Sequence, residues 1–240
     1  MESRSLSVFI PVFNEEKIID NNLPVILAEV EKIARDFEIL IIDDGSTDHS
    51  GERLKAWAAK CNKIRILQHP KNLGYGAALR SGFSNAQKEL IFYTDMDLPA
   101  DLSNLQKAIP LMEVKDLVIG YRTDRQDTFR RMIYFKVYKF LLKLLFGLEA
   151  KDINFSFKCI RKKVLEKVNL SARTGFIDGE LLINSIENGF TLQEIPIIYR
   201  PRKCGNSNFD SFKAAWNTAK EILLYWWAKN RNKKRTEACK

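Results

Sequence analysis

The chain has 240 residues, of which 45% are hydrophobic, so it is long enough for one sizeable α/β domain with a full core. Four cysteines lie far apart without a CxxC pair, which argues against a zinc site or a disulfide framework and for a reducing cytosol. The formal net charge of +9 favours an anionic partner such as nucleic acid, a membrane surface or a phosphorylated ligand. The polar start predicts no signal peptide, and no stretch approaches about 18 uncharged apolar residues, so no spanning helix is expected.

Apolar runs alternate with helical patterns along the first half of the chain. Strands are predicted at 6–13, 37–48 (where the strand breaks into a turn), 64–69, 90–97 and 116–120. This alternation predicts βαβ units and a mostly parallel sheet, in which ligands bind beyond the carboxyl ends of the strands. Polar residues mark four of these ends: 11–16, 43–45, Asp95 with Asp97, and Tyr121 with Arg122.

The second half carries two amphipathic helices. The first is predicted over 129–148, and three lysines share one of its faces: Lys136, Lys139 and Lys143. Two further strand patterns lie at 152–160 and 191–200. The second helix precedes a basic tail and has one apolar stripe: Phe212, Trp216, Leu223 and Trp227. We therefore divide the chain into a domain at 1–210, which includes the first amphipathic helix, and a C-terminal helix with its tail at 211–240.

Asp95 and Asp97 sit one residue apart at a strand end, so both side chains face the same rim. Two partly desolvated carboxylates repel and raise each other's pKa, so a cation between them is expected. A hard divalent ion such as Mg²⁺ or Mn²⁺, held by the carboxylates and by substrate phosphates, suits this pair. A capping aspartate beside a solvated one is the alternative.

Asp43 and Asp44 end another buried strand. A carboxylate here can accept hydrogen bonds from a nucleotide base or from ribose hydroxyls, and a turn followed by a helix cap is the alternative. The first strand is not followed by GxGxxG, and no GxxxxGK[ST] occurs, so neither a nicotinamide cofactor nor a P-loop ATPase is expected. His49 and His69 lack metal-ligand spacing and are expected at the surface.

Six motifs together resemble the inverting glycosyltransferases of the GT-A, family 2 type, and most closely the dolichol-phosphate mannosyltransferases and related polyprenyl-phosphate glycosyltransferases. They occur in family order over roughly residues 5–210: "PVFNEE", "DDGSTD", "NLGYGAALRSGF", "TDMDLP", "GYR" and "EIPIIYRPRKCGNS". The resemblance implies a GT-A (Rossmann-like) fold, an α/β fold whose mostly parallel sheet is flanked by helices. It also implies that 1–210 is the catalytic domain.

The resemblance implies a nucleotide-sugar site and a metal site at the strand ends. The implied donor-binding residues are Pro11, Phe13, Glu15, Asp43, Asp44, Asp95, Met96, Arg202 and Ser207. Asp95 and Asp97 are implied as ligands of Mg²⁺ or Mn²⁺, and the implied catalytic residues are Asp97, Arg122 and Arg130. Pro99 departs from the family pattern, because relatives often carry a glutamine there.

The acceptor determines whether the reaction needs a base. A lipid monophosphate is largely dianionic near pH 7 and needs positioning by cations, for which Arg122, Arg130 and Lys158 are candidates. A sugar hydroxyl must lose a proton and needs a carboxylate base. Asp178 and Glu180 are candidates for that role, and charges at a helix N-terminus are their alternative role.

The leading prediction is inverting transfer of a hexose from a GDP- or UDP-sugar to a polyprenyl (dolichyl-like) phosphate. A family 2 enzyme that acts on a saccharide hydroxyl in cell-envelope polysaccharide synthesis is the alternative. A nucleic-acid-binding role is not expected, because no recognised motif is present and the lysines interleave with bulky apolar residues.

The lysine-striped helix predicts peripheral attachment to an anionic membrane surface. A spanning helix does not tolerate three lysines in its middle, whereas an interfacial helix buries its apolar face while its lysines reach the headgroups. Packing of both helices on the sheet or on a partner subunit is the alternative. We therefore expect a cytoplasmic protein on the inner face of a membrane.

Overall fold

A computed structural model describes residues 5–124, 128–199 and 212–238, with side chains as far as 231. Its centre is a seven-stranded sheet in the order β3-β2-β1-β4-β6-β5-β7. The strands are β1 (Leu6–Val12), β2 (Phe37–Asp43), β3 (Ile64–Gln68), β4 (Leu90–Tyr93), β5 (Leu117–Arg122), β6 (Lys158–Arg161) and β7 (Leu192–Ile197). β6 is antiparallel to β4 and β5, and the other neighbours are parallel, which confirms the predicted mostly parallel sheet.

Helices cover both faces of the sheet because successive strand residues point to opposite sides. In β1, Val8 and Ile10 enter the core that α1 and α2 cover, whereas Phe9 enters the core that α3 covers. The helices are α1 (Glu16–Glu31), α2 (Ser50–Lys60), α3 (Tyr75–Asn85), α4 (Leu105–Leu111), α5 (Phe129–Phe146), α6 (Lys162–Leu165), α7 (Phe176–Glu187) and α8 (Phe212–Ala238), with a 3-10 turn at Leu102–Asn104. The parallel arrangement brings the carboxyl ends of β1, β2 and β4 to one edge.

The prediction of a strand over 152–160 was mostly wrong. Only Lys158–Arg161 forms a regular strand, β6. The segment before it is irregular because its first carboxylate, Asp152, turns to form a buried ion pair with Arg122. Ile153 and Phe157 are nevertheless fully buried, so the apolar pattern indicated burial rather than strand pairing.

The two amphipathic helices form where they were predicted. α5 starts after Thr128, whose side chain accepts a hydrogen bond from the Arg131 backbone N–H, and it ends at Gly147 in a left-handed conformation with φ 67°. α8 lies against α5 and α7. In the part of the chain that the structure describes, neither these helices nor the others have the length and apolarity needed to cross a membrane.

Candidate active site

The loops after β1 and β2 are locked together by short polar side chains. Asn14 adopts a left-handed backbone with φ 56°, and its side-chain oxygen accepts a hydrogen bond from the Thr47 backbone N–H at 2.8 Å. The Ser46 hydroxyl accepts from the Asn14 N–H at 3.1 Å, and the Ser50 hydroxyl accepts from the Glu15 N–H at 2.9 Å. These bonds fix the backbone of the predicted donor residues around 13–15.

Asp43 organises the turn that follows β2. Its carboxylate is buried and accepts hydrogen bonds from the Ser46 backbone N–H at 2.9 Å and from the Gln68 side chain at 3.1 Å. Gly45 has φ 69°, and a Cβ on it would lie 2.3 Å from the Lys71 carbonyl carbon, so only glycine fits this close approach. The turn brings the loop at 71–74 beside the end of β2.

Asp44 holds the glycine-bearing loop before α3. One carboxylate oxygen accepts hydrogen bonds from the Leu73 backbone N–H at 2.9 Å and lies 2.6 Å from His69 Nδ1, and the other accepts from the Gly74 backbone N–H at 2.9 Å. The other ring nitrogen of His69 lies 2.9 Å from the Ser81 hydroxyl. The prediction that His69 lies at the surface was therefore wrong: its ring is buried because it links Asp44 to α3.

Asp95 and Asp97 lie on a tight turn after β4, and both are half-buried. The Asn22 side chain on α1 donates a hydrogen bond to the Met96 carbonyl at 2.9 Å, which pins the turn between the two carboxylates. Leu98 follows with φ 52°, a conformation that costs a leucine on the order of 1–2 kcal/mol. Asn22 was missed by sequence reasoning, because nothing in α1 indicates a partner 74 residues away.

The donor set on this turn fits a hard divalent cation that takes its remaining ligands from a diphosphate and water. Two carboxylates are the usual protein contribution to such a site, and Pro99 adds no ligand atom. Among the residues that the structure describes, no group of three or more His, Cys, Asp or Glu side chains is placed to hold a metal.

A cavity of about 450 Å³ opens between α5 and α8. Apolar side chains of the two helices, such as Val137 and Ile222, form its walls. Its floor is polar and consists of Tyr75, Arg122, Asn154 and Asp178. An apolar slot with a few convergent polar groups at one end is the usual form of a small-molecule site.

Arg122 reaches this floor from the end of β5. Asp152 fixes its guanidinium through two hydrogen bonds, at 2.6 and 3.0 Å, and the Phe155 and Tyr199 rings lie 5.4 Å from its central carbon. The structure does not bring Arg130 to the cavity wall, whereas the neighbouring Arg131 lines it. Arg131 was missed because two successive arginines at the start of a helix give no indication of which one faces inward.

Asp178 and Glu180, the two candidate bases, have different surroundings. Asp178 lies on the cavity floor, and Lys158, which is fully buried, places its ammonium 2.8 Å from one carboxylate oxygen. Burial raises the pKa of the Asp178 carboxyl, and Lys158 acts in the opposite direction.

Glu180 does not line the cavity. It is fully buried and accepts hydrogen bonds from the Ser171 backbone N–H and hydroxyl and from the Ala172 backbone N–H, all within 3.1 Å. This geometry gives Glu180 a role in holding the loop before α7.

The remaining predicted residues fall into three groups. Pro11, Phe13 and Glu15 are half-buried beside the β2 turn, so they lie at the same sheet edge as Asp43. Met96 has its side chain in the core, so it could face a donor only through its backbone. Arg202 and Ser207 lie outside the described residues.

α5 and α8 expose most of the large apolar side chains that the structure shows at the surface. On α5 they include Ile133, Val137, Phe140 and Leu144, which follow helical spacing along one stripe. Each of Lys136, Lys139 and Lys143 immediately precedes a member of that stripe, so a cationic row borders it. On α8 the exposed side chains include the predicted stripe: Phe212, Trp216, Leu223 and Trp227.

The chain matches known proteins over most of its length. Residues 7–168 match the model of the family described as Glycosyl transferase family 2. The chain is 26% identical to "Glycosyltransferase AglD" of Haloferax volcanii over 234 residues, which cover 92% of this chain and 37% of that protein. It is 31% identical to "Polyprenol monophosphomannose synthase" of Mycolicibacterium smegmatis over 215 residues, which cover 83% of this chain and 79% of the relative. The chain therefore spans little more than a third of the first relative and most of the second.

The fold is also similar to that of solved structures. Glucosyl-3-phosphoglycerate synthase from Mycobacterium tuberculosis, in complex with Mn²⁺, UDP and glucosyl-3-phosphoglycerate, superposes with a TM-score of 0.71 at 17% identity, covering 93% of this chain and 80% of that one. At this identity the similarity establishes the shared fold.

Proposed function

The chain belongs to glycosyl transferase family 2, and from that premise we propose that it transfers a hexose from a GDP- or UDP-sugar to a polyprenyl phosphate, with inversion at the anomeric carbon. The second relative described above is a polyprenol monophosphomannose synthase by its name, which supports this acceptor class. The identity of the sugar is not carried over from this relative, because the two sequences are only 31% identical.

The observation that carries the proposal is the cavity between α5 and α8. Its walls are apolar, as a polyprenyl chain requires, and its floor presents Arg122, with Arg131 in its lining, as a phosphate requires. Tyr75 on this floor contacts the Tyr93 hydroxyl, which is within hydrogen-bond reach of Asp95 at 3.5 Å. An acceptor held here would thus lie next to the turn that carries the metal-binding carboxylates.

The donor nucleotide is assigned to the edge formed by the loops after β1 and β2. Pro11, Phe13 and Glu15 supply contacts, and Asp43 or Asp44 faces the base or the ribose. Arg202 and Ser207 keep the donor-binding roles that the family resemblance implies.

Asp95 and Asp97 would hold Mg²⁺ or Mn²⁺, which, when bound, offsets the charge that develops on the departing nucleoside diphosphate. Asp152 orients the Arg122 guanidinium, so that the arginine meets an acceptor phosphate in a preset geometry. A phosphate that is already anionic needs no base, which agrees with the pairing of Asp178 to Lys158. Arg130, exposed at the start of α5, is proposed to attract the phosphate from the membrane side.

The helix pair is proposed to bind an anionic membrane on its cytoplasmic face. Exposed apolar patches of this extent mark interaction sites, and a bordering row of lysines favours anionic headgroups over an uncharged partner. The polyprenyl chain could then pass from the bilayer into the cavity without crossing water.

The test is a transfer assay. Purified protein with Mg²⁺ or Mn²⁺, a panel of labelled GDP- and UDP-sugars and a short polyprenyl phosphate should give label in the organic phase. Asp97→Ala should lower this transfer by at least about a hundredfold, because such charge-stabilising groups typically contribute factors of 10²–10³. Asp36→Ala is the matched control: Asp36 precedes β2, at the opposite end of the sheet, where it pairs with Lys88 at 2.6 Å, and its loss should change transfer less than about threefold. Equal transfer by the Asp97→Ala variant would overturn the proposal.

A saccharide hydroxyl is the second candidate acceptor, because Asp178 lies on the cavity floor and its raised pKa suits a general base. In that case donor turnover should appear only when saccharides are added. Asp178→Asn should then lower turnover strongly while leaving nucleotide binding intact, and no label should enter the organic phase.

A further inference from the structure

A hydrogen-bond chain of hydroxyl and carboxylate groups connects the metal-binding turn to the floor of the cavity. The Tyr93 hydroxyl lies 3.5 Å from Asp95 Oδ1, the Tyr93 and Tyr75 hydroxyls contact each other, and the Tyr75 hydroxyl lies 3.3 Å from Asp178 Oδ2. Lys158 closes the chain with its ammonium at 2.8 Å from Asp178 Oδ1. Tyr93 is fully buried, and Tyr75 lines the cavity.

This hydrogen-bond chain has three contacts that involve the two tyrosine hydroxyls, but only two hydroxyl hydrogens to serve them. Each phenol carries a single hydrogen that it can donate. One of the two hydroxyls must donate to the other. The remaining hydrogen can then be donated to Asp95 or to Asp178, but not to both.

We propose that Tyr75 and Tyr93 are positioning residues whose shared hydrogen-bond chain couples metal binding at Asp95 to acceptor binding above Asp178. In one arrangement Tyr75 donates to Tyr93 and Tyr93 donates to Asp95. In the other Tyr93 donates to Tyr75 and Tyr75 donates to Asp178. The inference rests on the proposed function, because it needs a metal at one end and an anionic acceptor at the other.

The sign of the coupling follows from the charges. A cation held by Asp95 would compete with the Tyr93 hydroxyl for the carboxylate oxygen, and this competition would favour the arrangement in which Tyr75 donates to Asp178. A hydrogen bond from Tyr75 then reduces the negative charge that Asp178 presents to a phosphate in the cavity. Metal and acceptor therefore strengthen each other's binding by the same factor, as linkage requires.

The test measures Mn²⁺ binding directly, without sugar transfer. Free Mn²⁺ is followed by electron paramagnetic resonance during titration of the full chain with UDP or GDP, with and without saturating farnesyl phosphate. The unmodified chain should bind Mn²⁺ about fivefold or more tightly when farnesyl phosphate is present. Tyr75→Phe should reduce this ratio of Mn²⁺ affinities to about one, because the variant lacks the hydroxyl that joins Asp178 to Tyr93 and Asp95.

Two further variants separate coupling from a purely structural role. Tyr93→Phe should abolish the ratio and should not weaken Mn²⁺ binding in the absence of farnesyl phosphate, since Tyr93 competes with the metal for Asp95. Tyr225→Phe is the matched control: its hydroxyl donates to Asn184 at 2.7 Å, between α8 and α7, so its loss should leave the ratio unchanged.

The two kinds of negative result lead to different conclusions. A ratio that survives Tyr75→Phe, or Mn²⁺ binding to the unmodified chain that farnesyl phosphate does not tighten, would overturn the coupling alone. No Mn²⁺ binding with either nucleotide, or no farnesyl phosphate binding by calorimetry, would overturn the proposed function and the coupling with it.

Discussion

The strand-end region and the α5–α8 helix pair reverse the ordinary distribution of residues in opposite ways. At the strand ends, carboxylates such as Asp43 and Asp44 are buried. On the helix pair, large apolar side chains such as Trp216 and Phe140 are more than 60% exposed. Soluble domains usually bury the second kind and expose the first.

Each of the two unusual distributions is stable for its own physical reason. Buried carboxylates are tolerated because each accepts several hydrogen bonds from the protein, as Asp44 does from the Leu73 and Gly74 backbone. The exposed apolar side chains have no such compensation within the fold, and an uncompensated apolar surface indicates a binding partner. Substitutions in the first region should therefore change the free energy of unfolding, and substitutions in the second should change binding.

The largest expected effect is the loss of Lys158. Its ammonium and the Asp178 carboxylate are both at least 99% buried, so Lys158→Met leaves a buried charge without its partner. We expect the free energy of unfolding to fall by about 3–5 kcal/mol, measured by urea denaturation at pH 7. The double variant Lys158→Met with Asp178→Leu should recover most of this loss. A single-variant loss below about 1 kcal/mol would contradict the comparison, because the pair would then behave like a surface pair.

The next effect tests the apolar surface. Trp216→Ser should weaken binding to anionic vesicles about tenfold or more, since burial of a large apolar side chain contributes about 1.5–3 kcal/mol. Its unfolding free energy should change by less than about 0.5 kcal/mol, because Trp216 is 64% exposed. Val114→Ser is the control, since Val114 is 74% exposed but lies after α4, away from the helix pair. If Trp216→Ser instead lowered stability by about 2 kcal/mol and left vesicle binding intact, the surface would be part of the protein's own packing.

The same comparison explains how much could be predicted from the sequence. Local periodicity located six of the seven strands of the sheet and both amphipathic helices, because their patterns are contained in short windows. The insertion of β6 antiparallel between β4 and β5 could not be predicted, since it depends on contacts across the sheet. The paired aspartates were found from their spacing.

The supporting contacts of the site were not visible in the sequence. Asn22 meets the Met96 carbonyl, and Tyr75 meets Asp178, across 74 and 103 residues of sequence. Glu180 shows that residue type and position alone do not place a side chain in the cavity. It lies on the same helix as Asp178 and has the same charge, yet four backbone and hydroxyl contacts consume its carboxylate.

A smaller effect concerns the lysines that border the α5 stripe. Lys136→Glu should weaken binding to anionic vesicles about fivefold or more, because a basic residue near such a surface contributes about 1 kcal/mol. The effect should shrink at high salt and vanish on uncharged vesicles. Lys167→Glu makes the same charge change at an exposed position after α6 and should have little effect, as vesicle sedimentation would show. Equal losses from both variants would indicate a response to net charge rather than to this face.

The smallest expected effect on the free energy of unfolding concerns a carboxylate that is only partly buried. Burial tends to raise the pKa of Asp116, just before β5, but hydrogen bonds from Lys163 and Thr191 outweigh it and lower the pKa from 3.8 to about 2. Because the folded pKa is the lower one, the stabilisation is present above pH 4 and is lost as the pH falls from about 4 to 2. Asp116→Asn should therefore cost about 1 kcal/mol at pH 7, reduced by solvent screening at this surface position, and nothing near pH 2.

Urea denaturation of the unmodified chain and of the Asp116→Asn variant at several pH values tests this expectation. A difference that stays constant with pH would mean that the asparagine fails to pack, and that the charge of Asp116 contributes nothing. A difference that disappears on acidification would show that a partly exposed pair contributes about a quarter of what the loss of Lys158 costs. Burial would then be the property that separates the two cases, since each carboxylate has a lysine partner within 2.8 Å.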